Sequence, residues 1–189
     1  MKDTLLFVGQ MARRWRTTGA VVPSSRGLTR GMVDAVGEVA PGQVILELGP
    51  GTGVFTRALA ERFPHARLLA VEVNPTFADR LAATAPPTAE VVRGCASELP
   101  ALLAARGLGP DDVAAVVSGL PLLSLPGDLP ERVLAAVAAV LRPGRRYVQF
   151  TYSVRAWRRF ATPGFERRPS RKVWLNIPPA NVLTFVRTG

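Results

Sequence analysis

The run Val44-Ile45-Leu46-Glu47-Leu48-Gly49-Pro50-Gly51-Thr52-Gly53 constrains this 189-residue chain more than any other feature. An apolar strand runs into a turn with glycine at every second position, and a helix follows. Glycine reaches backbone conformations closed to other residues and lets a ligand approach the main chain. The helix start adds N–H groups that have no partner within the helix. The chain must therefore place a cradle of free N–H groups at the end of a buried strand.

The remaining pattern alternates in the same way. Strands are expected at Gln43–Leu48, Arg67–Val73, Ala89–Arg93, Val113–Ser118, Arg146–Tyr152, Val173–Ile177 and Val182–Arg187. Helices are expected near Ser25–Val39, Gly53–Phe63, Pro75–Ala83, Leu99–Arg106 and Pro130–Leu141, with Pro130 in a first turn and Pro143-Gly144 as a stop. After Tyr152 the helical pattern ends and two strands follow closely. The expected fold is α/β: a Rossmann-like, seven-stranded, mostly parallel sheet with a C-terminal antiparallel hairpin and helices on both faces. There is no internal repeat or low-complexity linker.

Composition supports a packed globule, with 48% hydrophobic residues and a mean hydropathy of +0.17. The single cysteine, Cys95, excludes an internal disulfide framework and fits a reducing compartment. No apolar run reaches eighteen residues; the longest candidate, Val113–Pro126, is broken by Ser118, Gly119 and Pro121. Lys2 and Asp3 lead into an arginine-rich start, unlike a signal peptide, so a cytoplasmic location is expected.

The net charge of +10 is unevenly placed. Residues 1–30 carry +5, residues 31–141 carry −5, and residues 142–189 carry +10 from eleven basic groups and one acidic group. Basic ends around an acidic middle point to a polyanionic partner, either nucleic acid or an anionic membrane surface. The alternative is a merely solubilising excess of charge.

Within the glycine run, a nicotinamide-cofactor fingerprint needs glycine three residues after Gly51, where this chain has Val54. Glu47 would repel a pyrophosphate and suits a ligand with a positive amino group. Glu72 ends the second strand nineteen residues after Gly53, where a carboxylate can accept both hydroxyls of a ribose. Its plainer reading is a strand-end carboxylate that caps the helix opened by Asn74-Pro75.

On these residues the chain resembles the class I S-adenosylmethionine-dependent methyltransferases from about Val33 to Arg187. The resemblance implies that Glu47, Gly49, Gly51 and Gly53 cradle the methionine part of S-adenosylmethionine. It implies that Glu72 and Val73 meet the ribose, that Cys95 and Ala96 flank the adenine, and that Ser118 lines the cofactor pocket. Many members carry aspartate where Cys95 stands, and Cys95 also reads as a small buried filler. No metal is expected.

Two subfamilies share this first motif. Adenine N-methylases of ribosomal RNA end the fourth strand with an Asn/Asp-Leu/Pro-Pro-aromatic tetrad that orients and stacks the flipped base. Here the stretch is Gly119-Leu120-Pro121-Leu122, without the polar group or the aromatic. The helical C-terminal domain of those enzymes is also not expected. Nucleic acid is thus the disfavoured partner, although an rRNA adenine methyltransferase stays the alternative.

Placed on a helix of 3.6 residues per turn, residues 2–16 put Leu5, Phe7, Val8, Met11, Ala12 and Trp15 on one face. Lys2, Gln10, Arg13, Arg14 and Arg16 fall on the other, with only Leu6 crossing over, which suits a membrane interface; an ordinary helix packed on its own sheet is the other reading. The expected organisation is a basic amphipathic helix over residues 1–18 and a methyltransferase domain over 19–189. Pro23-Ser24-Ser25-Arg26 and Leu120-Pro121-Leu122-Leu123-Ser124 resemble bacterial phospholipid N-methyltransferases. The resemblance implies that Ser24 and Ser25 close the cofactor pocket and that Arg26 meets the lipid phosphate; Ser24 or Ser25 also reads as a helix N-cap. It implies methylation of phosphatidylethanolamine to phosphatidylcholine by a monomer at the inner face of the bacterial membrane. Leu120, Pro121, Tyr152 and Arg155 would then surround the headgroup, with Glu47, Tyr152 or a lipid phosphate with a water as proton acceptor. Tyr147, Tyr152, Trp157 and Phe160 are candidate cation–π partners, with core packing the other reading for most of them. Arg155, Arg158, Arg159, Arg167, Arg168, Arg171 and Lys172 would hold anionic headgroups, with a merely solvated surface the equal reading for several of them. His65 reads as a surface residue.

Overall fold

Strand β1 (Val44–Leu48) is buried at every residue and pairs in parallel with two partners, so the sheet grows from it in both directions. The structure is a computed structural model that describes residues 25–160, 162–174, 176 and 178–189. The N-terminal amphipathic segment, Ser24 and Ile177 lie outside the described residues. On one side of β1 stand β2 (Arg67–Glu72) and β3 (Ala89–Arg93). On the other stand β4 (Val113–Ser118) and β5 (Arg146–Thr151). These five strands are parallel. The last strand, β8 (Ala180–Arg187), runs antiparallel to β5 from Arg146↔Val186 to Thr151↔Asn181.

Eight strands are present among the described residues, one more than the periodicity predicts. Beyond β8, β6 (Phe165–Arg167) and β7 (Arg171–Val173) pair antiparallel with the same strand. Their registers, Arg167↔Phe185 and Arg171↔Val182, differ by one residue, so they form one edge strand broken by a bulge at Arg168–Ser170. Pro169, which lacks an N–H, sits in the break. The segment escapes sequence detection because Glu166, Arg167 and Arg168 mask any alternation, as charges on an edge strand often do. The strand expected at Val173–Ile177 accordingly begins earlier, at Arg171, and ends at Val173.

Alternation along the strands divides the interior into two layers. Ile45, Leu68, Ala115, Val117, Val148 and Val182 face α1 (Arg26–Asp34) and α2 (Val54–Arg62). Leu46, Leu48, Leu69, Val71, Val116 and Tyr147 face α4 (Leu99–Ala104) and α5 (Leu129–Ala139). Helix α3 (Pro75–Ala82) packs on β2 and β3. Helix α1 stops at Asp34, short of the expected Val39, and Gly37 then takes φ +87°. A further short helix, α6 (Val154–Trp157), follows β5 where none is expected; the Ser153 hydroxyl caps it by accepting from the Ala156 N–H at 3.1 Å. Four residues are too few to show a helical period. Among the described residues no helix is long and apolar enough to cross a membrane.

A buried polar pair ties β5 to the loop after β4. The Tyr147 hydroxyl donates to Gln149 Oε1 at 2.8 Å, and Gln149 Nε2 donates to the Leu120 carbonyl at 3.0 Å. Both side chains are essentially inaccessible, and the Tyr147 ring stacks on Phe185 with centroids 5.6 Å apart. Tyr147→Phe removes the donor and leaves the Gln149 oxygen unsatisfied, so stability falls by about 1–3 kcal/mol. Urea unfolding should show this as a lower midpoint at an unchanged slope.

Candidate active site

The loops after β1, β2, β3, β4 and β5 gather along one edge of the sheet, because parallel strands all present their C-terminal ends there. Strand order reverses between β1 and β4, which leaves a crevice at that edge. The alternation that turns Ile45 toward α2 does the same for Glu47. Its carboxylate is wholly buried, and Oε2 accepts a 2.6 Å hydrogen bond from the Thr56 hydroxyl in the first turn of α2. Among the described residues Oε1 has no hydrogen-bond partner. Burial pushes Glu47 up from 4.5 to about 7; hydrogen bonding from Thr56 opposes the rise, the Glu72 charge adds to it and Arg57 opposes it.

Gly49, Gly51 and Gly53 take φ of +66°, +54° and +75°, the left-handed region that favours glycine. A Cβ at Gly51 would meet nothing within 4 Å, whereas one at Gly53 would lie 2.4 Å from Leu81 Cδ1. The loop is therefore open above Gly51 and packed below Gly53. Glu72, 7% exposed, reaches across the crevice: Oε2 accepts from the Gly51 N–H at 3.2 Å and Oε1 from the Asn74 N–H at 2.9 Å. Burial raises its pKa, and the N–H groups of Asn74, Gly51 and Val73 oppose the rise. The cap of α3 is Asn74, whose Oδ1 accepts from Thr76 and Phe77, so Glu72 is released from the plainer role. Val73 is half-buried beside it.

Strand β3 ends against this group, with the Gly94 N–H donating to the Glu72 carbonyl at 3.1 Å. Cys95 is half-buried, its Sγ 3.1 Å from Ser97 Oγ, and Ala96 is buried. On the β4 side Ser118 is fully buried, and its hydroxyl accepts from the Leu120 N–H at 3.3 Å. Leu120 lies over Gly49, where a Cβ would be 2.6 Å from Leu120 Cδ2. Pro121 follows, half-buried, at the start of a single 3-10 turn. Glu47, Gly49, Gly51, Gly53, Glu72, Val73, Cys95, Ala96, Ser118, Leu120 and Pro121 thus converge on one edge.

Ser25 is the N-cap of α1, its Oγ accepting from the Leu28 N–H at 3.2 Å, and its own N–H donates to Asn176 Oδ1. Asn176 Nδ2 in turn holds the Pro178 carbonyl at 2.8 Å. Arg26 is exposed on the same helix start. Tyr152, just past β5, is 41% exposed, and its ring meets Phe150 at 5.7 Å; Phe150 meets Phe55 of α2 at 6.1 Å. Arg155 is exposed on α6. Of the four aromatic candidates for a cation, only Tyr152 is accessible. Tyr147, Trp157 and Phe160 are buried together in the core around Phe185, which corrects their cation–π reading in favour of core packing. His65 is exposed and bonds the Val39 carbonyl at the opposite edge, where it lines a shallow groove with Arg62 and Arg145.

Thr56, Gln149 and Asn176 are the polar residues that sequence patterning misses. Thr56 had a signal, a hydroxyl in the first turn after the glycine loop; Gln149 had another, a lone amide in an apolar strand. Among the described residues no three His, Cys, Asp or Glu side chains form a cluster suited to a metal ion.

The geometry fits S-adenosylmethionine. A buried carboxylate oxygen lacking a partner suits an ammonium, the space above Gly51 admits a ligand against bare backbone, and Glu72 can exchange N–H partners for ribose hydroxyls. Comparison with known proteins agrees. Residues 45–144 match the family described as "Methyltransferase domain". The chain is 33% identical over 185 residues to an ornithine lipid N-methyltransferase of Singulisphaera acidiphila, covering 95% of this chain and 94% of that protein. A shorter match, 38% identical over 72 residues, links it to the mitochondrial dimethyladenosine transferase 1 of Drosophila melanogaster, across 38% of this chain and 19% of the other. Among solved structures, the Burkholderia thailandensis 1,6-didemethyltoxoflavin-N1-methyltransferase, with S-adenosylhomocysteine bound, superposes with a TM-score of 0.69 at 18% identity. That alignment covers all of this chain and 89% of the other.

Burying Glu47 has a consequence for stability. The folded chain holds the Glu47 proton up to about pH 7, while the unfolded chain releases it near 4.5. Between those values the folded state binds the extra proton, so stability falls as pH rises through this window and levels off above it, a loss of about 3 kcal/mol. Glu47→Gln removes that loss. At pH 8 the variant should be more stable than the parent by about 2–3 kcal/mol, and by far less at pH 4.5, in denaturant titrations at both pH values.

Proposed function

Because the chain belongs to the class I S-adenosylmethionine-dependent methyltransferases, we propose that it methylates the amine of a membrane aminolipid. The proposed substrate is phosphatidylethanolamine, carried through its mono- and dimethyl forms to phosphatidylcholine at the inner face of the bacterial membrane. The observation that carries the lipid class is the near full-length similarity to an ornithine lipid N-methyltransferase. Ornithine lipid and phosphatidylethanolamine both present an amine on a membrane-bound headgroup. A basic interfacial helix over residues 1–18, ahead of a catalytic domain over 19–189, belongs to the same proposal.

An RNA adenine substrate is the second reading, favoured by the short dimethyladenosine transferase match. The crevice speaks against it. An adenine N-methylase places an amide or carboxylate where Gly119 stands, and a Cβ there would lie 2.8 Å from the Gly49 carbonyl oxygen. No side chain fits without parting β1 from β4.

In the proposed mechanism Glu47 takes the methionine ammonium, Gly49, Gly51 and Gly53 carry the chain of the cofactor, and Glu72 with Val73 holds the ribose. Cys95 and Ala96 flank the adenine, Ser118 lines the pocket, and Ser24 with Ser25 closes it. S-adenosylmethionine, when bound, supplies a methyl group on a sulfonium, already activated toward an amine lone pair. The protein's remaining task is to strip and aim that amine, which resembles lysine with a pKa near 10.4 and is mostly protonated at neutral pH. Tyr152 is suited to the aiming, since its hydroxyl can accept a hydrogen bond from the amine N–H and its ring can face the growing positive charge. Glu47 is committed to Thr56 and the ammonium, so the amine proton passes through a water to the lipid phosphate while Tyr152 orients the lone pair. Leu120 and Pro121 form the apolar wall, and Arg26 and Arg155 meet the lipid phosphate.

Labelled S-adenosylmethionine incubated with vesicles of phosphatidylethanolamine, with ornithine lipid vesicles, and with ribosomal RNA should put label into lipid alone. Label in RNA without label in either lipid would overturn the proposal. The affinity for S-adenosylhomocysteine should also depend on pH. Glu47 must be ionised to meet the ammonium, so the dissociation constant should level off toward pH 8 and rise up to about tenfold per unit below pH 7, by calorimetry.

A further inference from the structure

Trp174 is 69% exposed, and the only other large hydrophobic exposed among the described residues is Tyr152. It follows β7 directly. The pairings Val173↔Ala180 and Thr151↔Asn181 set it at the level of the end of β5, on the edge that carries the glycine loop and Tyr152. The Lys172 ammonium lies 3.5 Å from the centroid of its ring. Arg167, Arg168 and Arg171 are exposed along the same edge strand. Arg168 pairs with Glu166 and Arg171 with Asp34, while Arg167 and Lys172 have no ion pair among the described residues. The chain from 142 onward has eleven basic groups and one acidic group.

We propose that Trp174 and Lys172 form a corner that docks the open edge of the sheet on an anionic bilayer, a site separate from residues 2–16. The proposal rests on the lipid-substrate reading above. An indole has an apolar body and a polar N–H, the combination that settles at the headgroup level, and a neighbouring cation adds attraction to anionic lipid. Exposed so fully on a soluble surface, the ring leaves its apolar area in water; among headgroups that area is covered. A single-stranded nucleic acid would instead stack a base on the ring. One face of that ring is already occupied by Lys172, which hinders stacking and does not hinder insertion among headgroups. Docked here, the bilayer brings an amine headgroup to the edge where Tyr152 and the loop after β4 stand.

The test reads membrane binding without any methyl donor. Full-length protein is sedimented with vesicles of phosphatidylcholine alone or mixed with phosphatidylglycerol. Trp174→Ala and Lys172→Glu should each lower partition onto the mixed vesicles by about fivefold or more, with S-adenosylhomocysteine affinity and unfolding midpoint unchanged. In a Trp15→Phe background, which leaves the buried Trp157 and Trp174, brominated lipid should quench the exposed tryptophan. Unchanged partition of both variants, or quenching by oligonucleotides and not by brominated lipid, overturns the proposal. Failure of lipid methylation with vesicle binding through Trp174 intact would overturn the substrate reading and leave this corner standing.

Discussion

The Gly119 N–H donates to the Leu48 carbonyl at 2.8 Å and closes the seam between the ends of β1 and β4. A Cβ at 119 would press on the Gly49 oxygen, and one at 49 would press on Leu120. Glycine on both sides of the seam is therefore a condition of the fold as well as of the crevice. Because β1 sends its chain to one side of the sheet and β4 lies on the other, every loop that shapes the site is hung from this contact.

Around the seam the protein accepts local instability. Glu47 is taken fully out of water with one oxygen bonded to Thr56 and the other without a partner among the described residues, which raises its pKa to about 7. A buried carboxylate so poorly satisfied is costly for folding and useful for a cationic ligand, the trade expected at functional sites. The polar groups of the other layer are treated differently. Tyr147, Gln149 and the Leu120 carbonyl satisfy one another, so they stiffen the loop after β4 without leaving charge buried. One face of the sheet thus stores binding potential, and the other holds geometry.

Much of this was legible in the residue order. The five parallel strands, the glycine cradle, Glu47 and Glu72 follow from local pattern, because strand, turn and helix here each have strong and concordant signals. The far end of the sheet was not so legible. Glu166, Arg167 and Arg168 hide an edge strand whose pairing comes from β8, and α6 is too short for any period. Tyr147, Trp157 and Phe160 look like available aromatics in sequence, yet they fill the core. An aromatic ring serves packing or recognition according to which face of an element meets a neighbouring layer, and that is a tertiary fact.

By itself, then, the sequence determined that this chain builds an α/β sheet with a cofactor-type glycine loop, since those choices rest on contacts a few residues apart. Only the tertiary structure decided that Glu47 meets Thr56, that Glu72 joins two loops instead of capping a helix, and that Gly119 has no room for a base-reading side chain. It also set Trp174 beside Tyr152 on one edge, through pairing between strands distant along the chain. Burial and strand register are properties of the assembled sheet, and no window of sequence contains both partners.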